Sequence, residues 1–268
     1  MIDLQAHWLV GAPDGPRSRD EALRLAEEAV QDGVRVAVVG SRIDGSRRRL
    51  TPDQYWTAFE RLGQWLQEEA NPLVLVPSMV VRVAPNLVEG YRRGQFLCLG
   101  KTRYCCVELP PNECPVYAFE VFEQMRAQGD QILLLHPEKN RAIRRAPELM
   151  ARLAALGAVG VASAGSLTGQ WGEEVTGALW RLMDSGWIQT VASDGEPGRP
   201  RVRLSTVREL LCRRYGEREA FRTMTEVPDA ILQGLPVPPA AREPLGWQRW
   251  LSSPQRLPVG GGLSVRGM

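Results

Sequence analysis

The sequence predicts an α/β fold, a closed or nearly closed (β/α) barrel of parallel strands with outer helices. Three observations carry that expectation. Strand and helix patterns alternate along most of the chain with no break in composition. The opening pattern, a strand at 2–8, a capped helix and a second strand at 34–39, is a βαβ unit, and the strands of such a unit run parallel. The apolar run 132–135 (ILLL) reads as a strand buried on both faces, and it leads straight into His136. An open doubly wound sheet is the alternative arrangement of the same units.

Each element has a local reason. After the first strand, the turn-rich stretch 11–16 precedes Ser18 and Glu21, a capping-box pair that opens a helix to about Asp32, and Gly33 ends it. The loop 40–50 carries Arg42, Arg47, Arg48 and Arg49, and Thr51 with Gln54 then caps a second helix with Pro52 in its first turn. Strands are expected at 73–77, 96–99 and 104–109, and helices near 86–93 and 115–128. Beyond His136 come a helix near 147–156, a strand at 158–163 ending in AGSLTG (164–169), a helix near 173–185 and a strand at 187–192. Helical segments follow through 205–233. The glycines of AGSLTG permit either a phosphate cradle before a helix or a tight turn.

At 268 residues, 44% hydrophobic and 24% charged, the chain is accounted for by one large domain over 1–236. Residues 237–268, rich in Pro, Gly and Arg, are expected to form a flexible tail on which Trp247 and Trp250 offer a docking point. A net charge of +2 is too small to argue for nucleic acid. There is no apolar run of membrane-span length, and the N-terminus enters a strand without a basic leader, so a cytoplasmic location without membrane insertion is expected. The five cysteines lack CxxC spacing and suit reduced core thiols better than disulfides or zinc.

Barrels of this class place their chemistry after the strands. Reading those positions in order yields Gln5, His7 and Asp14, then Ser41, Glu108, His136, Asp194 and Glu196. Neutral imidazoles among carboxylates suit Mn, Fe or Zn, which generate hydroxide or clamp phosphate oxygens. The bland alternative makes Asp14 and Asp194 turn residues and Glu108 a buried, paired carboxylate. The arginines of 42–49 either hold an anion or form an exposed, solvated loop.

The wording of these segments is more specific than their spacing. DLQAH at 3–7 with Gly11, Asp14 and Gly15, VELP at 107–110, HPEKNR at 136–141, AGSLTG and ASD at 192–194 resemble the PHP-fold (polymerase and histidinol phosphatase type) metal-dependent tyrosine phosphatases of bacterial capsule and exopolysaccharide systems. The resemblance spans most of residues 1–236. It implies a distorted PHP-type barrel, a cluster of three divalent metals, manganese above all with iron or zinc as alternatives, and hydrolysis of phosphotyrosine on the kinase of polysaccharide assembly. It implies metal ligands at His7, Asp14, Glu108, His136 and Asp194. Gln5, Ser41, Val80 and Glu196 depart from the family's ligands; of these Glu196 keeps a carboxylate, Gln5 offers a weak amide oxygen, Ser41 is a poor neutral ligand and Val80 cannot ligate. Lys139 stands where the family carries arginine, and Arg199, or as second choice Arg201, matches its second phosphate-binding arginine. Two functions follow: a phosphatase of reduced activity, or an inactive pseudophosphatase that binds phosphotyrosine or scaffolds partners.

Overall fold

A computed structural model describes residues 1–43, 50–195, 200–238 and 240. Seven strands, β1 (Ile2–Ala6), β2 (Val36–Ile43), β3 (Val74–Arg82), β4 (Tyr104–Glu108), β5 (Gln131–Leu135), β6 (Ala158–Ser163) and β7 (Ile188–Ala192), pair in chain order, each parallel to the next. Helices α1 (Arg19–Gln31), α2 (Pro52–Glu68), α3 (Leu87–Arg92), α4 (Val116–Ala127), α5 (Arg141–Arg145), α6 (Glu148–Ala155), α7 (Ala164–Leu167) and α8 (Glu173–Asp184) fill the crossovers. Three more, α9 (Leu204–Tyr215), α10 (Glu217–Phe221) and α11 (Val227–Leu232), follow the last strand.

The sheet curls until its edges meet through single bonds, which makes a nearly closed barrel. Asp194 N donates to Gln5 O at 3.1 Å, Ser193 N to Asp3 Oδ1 at 2.9 Å, and Ser193 Oγ to Gln5 O at 3.1 Å. Inside, Ile2, Leu4, Val38, Val80, Cys106 and Leu133 form an apolar plug, joined by Val227 and Ile231 of α11. The opposite strand faces pack outward on helix side chains such as Leu62, Phe122, Met125 and Leu179. A plugged interior leaves the mouth at the strands' C-terminal ends as the place for polar chemistry.

Local signals explain several elements. Ser18 caps α1 by accepting from Glu21 N, while the Glu21 carboxylate turns back to Arg17 N, one residue earlier than a capping box would have it. Thr51 and Gln54 make the full reciprocal box on α2. Strand β3 runs on past Pro77, where the sequence suggested it would stop. Proline removes a ladder donor, and Tyr55 compensates: its hydroxyl donates to Val39 O at 2.7 Å and accepts from Ser78 N at 2.8 Å. The helical expectation over 205–233 resolves into α9, α10, a π-turn at Arg222–Glu226 and α11.

Two expectations are corrected. Residues 96–99 are not a strand; they form a return that hands Met79 N to Leu97 O and Leu99 N to Tyr104 O. That return lays Cys98 beside Cys105, and the two form a disulfide, so only Cys106, Cys114 and Cys212 are free thiols. Beyond α11, Tyr104 Oη donates to Leu235 O, Arg222 Nη1 donates to Pro238 O, and Val237 packs against the interior cluster. Trp247, Trp250 and the arginines at 47–49 lie outside the described residues. No helix among those described is long and apolar enough to cross a membrane.

Candidate functional site

Five of the residues singled out from sequence converge at the barrel mouth: His7, Asp14, Glu108, His136 and Asp194. Two of them sit on unusual backbone. His136 has φ 52° and Asp194 φ 44°, and Ala70 is the only other non-glycine residue described with positive φ. A left-handed conformation costs a residue with a Cβ about 1–2 kcal/mol, and it persists where the surroundings enforce it. Here it redirects the chain at the ends of β5 and β7.

The side chains form a buried charge network. His7 Nδ1 lies 2.9 Å from Asp14 Oδ2, close enough for an ion pair but without the alignment of a hydrogen bond, and His7 Nε2 lies 3.4 Å from Asp194 Oδ1. Burial alone would lower the His7 pKa, but Asp14, and then Asp194, outweigh it and raise it to about 9. Asp194 Oδ1 is also 3.1 Å from His136 Nε2, and its Oδ2 accepts from Lys139 Nζ at 2.7 Å. Burial raises the Asp194 carboxyl, yet His136, His7 and Lys139 hold it well below the usual range. Asp14 is likewise lowered, with burial again opposed by His7 and then Arg42.

Arg42 enters the same network, although sequence reading left it in a loop. Strand β2 continues to Ile43, with Arg42 opposite Val80, which points into the barrel. Its Nε donates to Glu108 Oε1 at 3.0 Å, its Nη2 lies 3.5 Å from Asp194 Oδ1, and its backbone N–H donates to Asp14 Oδ2 at 3.2 Å. Burial disfavours its charge, but Glu108, Asp194 and Asp14 more than restore it. The missed signal was the period-2 alternation Val36, Val38, Gly40, Arg42, which puts all four on one face.

The turn after His136 is held from behind. Glu138, fully buried, accepts from Ser163 N at 3.0 Å and Ser166 Oγ at 2.7 Å, so AGSLTG, through Ser166, and the residue just before it support this turn. Gly165 leaves close space there: a Cβ would lie 2.6 Å from Gln170 Oε1, the end of a flexible side chain, and 3.1 Å from Trp171 Nε1. The space that Gly165 leaves lets Trp171 come forward until Lys139 Nζ stands 4.0 Å from its ring centroid. Lys139, Trp171, Arg42, Arg82 and Arg144 line a cleft of about 390 Å³, with Leu109, Pro111 and Pro137 as apolar wall. Arg82, Arg144 and Trp171 carried no sequence signal.

The remaining expected residues divide. Glu196 and Arg199 lie outside the described residues. Arg201 is turned away from the cleft, donating to Leu25 O at 2.8 Å with its guanidinium 5.2 Å from the Trp8 ring centroid. Val80 is part of the interior plug. Gln5 is buried at the mouth, its Nε2 3.2 Å from His7 Nε2, whereas Ser41 is buried on the β2 face opposite to that of Arg42.

The family profile described as capsular polysaccharide synthesis, CpsB/CapC, matches residues 1–233. The chain belongs to the CpsB/CapC family. It is 29% identical over 194 residues to tyrosine-protein phosphatase YwqE of Bacillus subtilis, covering 72% of this chain and 76% of YwqE. It is 27% identical, with the same coverage, to the putative tyrosine-protein phosphatase CapC of Staphylococcus aureus. A crystal structure from work on YwqE of Bacillus subtilis and CpsB of Streptococcus pneumoniae, metal-dependent tyrosine phosphatases, superposes with TM-score 0.85 at 26% identity, over 91% of this chain and 99% of that one.

CpsB/CapC membership implies a metal centre, and the residues present fit one poorly. Among the described residues no three His, Cys, Asp or Glu side chains group to hold a metal ion. Asp14, Glu108 and Asp194 already face the cations Arg42, Lys139 and protonated His7. His7 would have to surrender its proton to ligate. Buried atoms without a hydrogen-bond partner do remain, namely Gln5 Oε1, His7 Nδ1, Asp14 Oδ1, Ser41 Oγ and both His136 nitrogens. Gln5 Oε1, Asp14 Oδ1 and one nitrogen of a neutral His136 could accept a water or a small cation, but not a cluster of three divalent ions alongside a guanidinium and an ammonium.

Proposed function

We propose that this CpsB/CapC protein recognises phosphotyrosine in the cytoplasm, on the tyrosine kinase of a capsule or exopolysaccharide assembly system, and that its hydrolytic activity is reduced or lost. One observation carries the reading: a cleft at the barrel mouth combines Arg82, Lys139 and Arg144 with an aromatic face, Trp171, and an apolar wall. A phosphorylated tyrosine presents a dianion on an aryl ring, and cations beside an aromatic plate match both halves. Lys139 meets the phosphate as a point charge and Arg82 offers a planar fork, while Arg144, whose Nε is paired with Glu174 and whose Nη1 donates to Lys139 O, adds positive charge to the wall. Arg199 is proposed as a further phosphate contact. The Cys98–Cys105 disulfide is unusual for a reducing cytoplasm.

A second reading, slow metal-dependent phosphatase action through His7, Asp14, Glu108, His136, Asp194 and Glu196 with manganese, draws on the unpartnered polar atoms at the mouth. Such a metal would supply the nucleophilic hydroxide. Fluorescence anisotropy with a labelled phosphotyrosine peptide, run beside phosphate release with and without MnCl2, separates the two. Saturable binding without phosphate release supports recognition alone. Manganese-dependent release that vanishes in His136→Ala supports the phosphatase, and absence of both binding and release overturns both readings.

A further inference from the structure

We infer that Arg42 occupies the place of a divalent cation in this centre, so that the folded protein carries its own counter-ion and binds Mn2+ only weakly. The inference deepens the proposed reading and concerns the same site. Asp14, Glu108 and Asp194 reach the mouth from the loop after β1, the end of β4 and the end of β7. Buried negative charge requires positive charge within hydrogen-bond reach. The Arg42 guanidinium meets two of the three, through Nε to Glu108 and Nη2 to Asp194, and the Arg42 backbone N–H holds the third, Asp14. Its charge is permanent, whereas lysine or histidine could neutralise. Its position is set by strand register, opposite Val80, so the guanidinium is delivered by the sheet. A cation tethered to the chain is present at an effective concentration that a free ion does not match. A metal entering here would have to expel the guanidinium and then sit beside it, and Lys139 closes the far side of Asp194 at 2.7 Å.

The test is manganese binding to the full chain by calorimetry, paired with thermal melts in excess EDTA and in MnCl2, for wild type, Arg42→Ala and Arg42→Met. Wild type is expected to bind with a Kd no tighter than about 1 mM and to melt within about 2 °C under both conditions. The neutral variants are expected to bind Mn2+ about 100-fold tighter and to melt higher when it is present, whereas Arg42→Lys, which keeps the charge, stays weak. Micromolar binding by wild type overturns the inference, as does binding by both neutral variants no tighter than wild type. If the neutral variants fail to fold in EDTA, they are refolded with and without MnCl2: recovery only with the metal supports the inference, and failure under both conditions overturns it. Phosphopeptide binding has no part in these readouts, so the inference and phosphotyrosine recognition can fail separately.

Discussion

Arg42 Nε and Glu108 Oε1 lie 3.0 Å apart across β3, joining the ends of β2 and β4 over the plugged barrel interior. The pair is largely buried, with side-chain exposures of 24% and 15%, so its partners depend on each other.

Removing either partner should therefore cost less when the other is already gone. Glu108→Gln is expected to destabilise by about 2–3 kcal/mol, because Arg42 keeps its charge but loses its nearest carboxylate. Arg42→Met should destabilise Glu108→Gln by less than it destabilises wild type, because one of the carboxylates it would leave unpaired is already absent. Urea denaturation of the two single variants and the double variant measures the coupling. Additive effects would mean that the pair is not coupled.

Lys139 is the cation of the cleft that stands between Asp194 and Trp171. Lys139→Ala should weaken phosphotyrosine-peptide binding by roughly 10- to 100-fold, the size of one charge-assisted hydrogen bond. Lys139→Arg should retain binding and Trp171→Ala should lose several-fold. Unchanged anisotropy curves for Lys139→Ala would place the phosphate elsewhere.

The network also sets a pH window. The folded His7 pKa of about 9 exceeds its ordinary 6.5, so the stabilisation from charged His7 is complete below about 6.5 and fades as pH rises through about 9. The full change is worth roughly 3 kcal/mol. Asp14 and Asp194 have lowered folded values, so their contribution is present above the ordinary 3.8 and is lost as pH falls. Denaturation midpoints from mildly acidic to alkaline pH should decline at both ends, and His7→Gln should remove the alkaline decline. A wild-type midpoint that stays level up to about pH 10 would contradict a charged His7.

Tyr55 serves the fold and lies away from the cleft. Tyr55→Phe keeps the ring but leaves Val39 O and Ser78 N without their bridge, beside a proline that cannot donate. The expected loss is about 2 kcal/mol in urea denaturation, with phosphopeptide affinity unchanged. A stability within error of wild type would indicate that water replaces the hydroxyl.

Much of this was legible in the sequence. Alternating strand and helix patterns, the βαβ opening and the buried run before His136 determine a parallel α/β barrel, because backbone periodicity and crossover handedness leave few alternatives. The position of each candidate after its strand also determined that His7, Glu108, His136 and Asp194 share one face, since parallel strands end together. What the sequence could not determine is which charges meet. Residues 40–42 looked like loop, and only the register of β2 on β3 turned Arg42 inward to the carboxylates. Cys98 reaches Cys105 only because the 96–99 segment folds back instead of pairing as a strand. Trp171 joins the cleft because Gly165 leaves room for it. Local propensity depends on neighbours in the chain, whereas a buried charge or aromatic contact depends on neighbours in space, and only the tertiary structure assigns those.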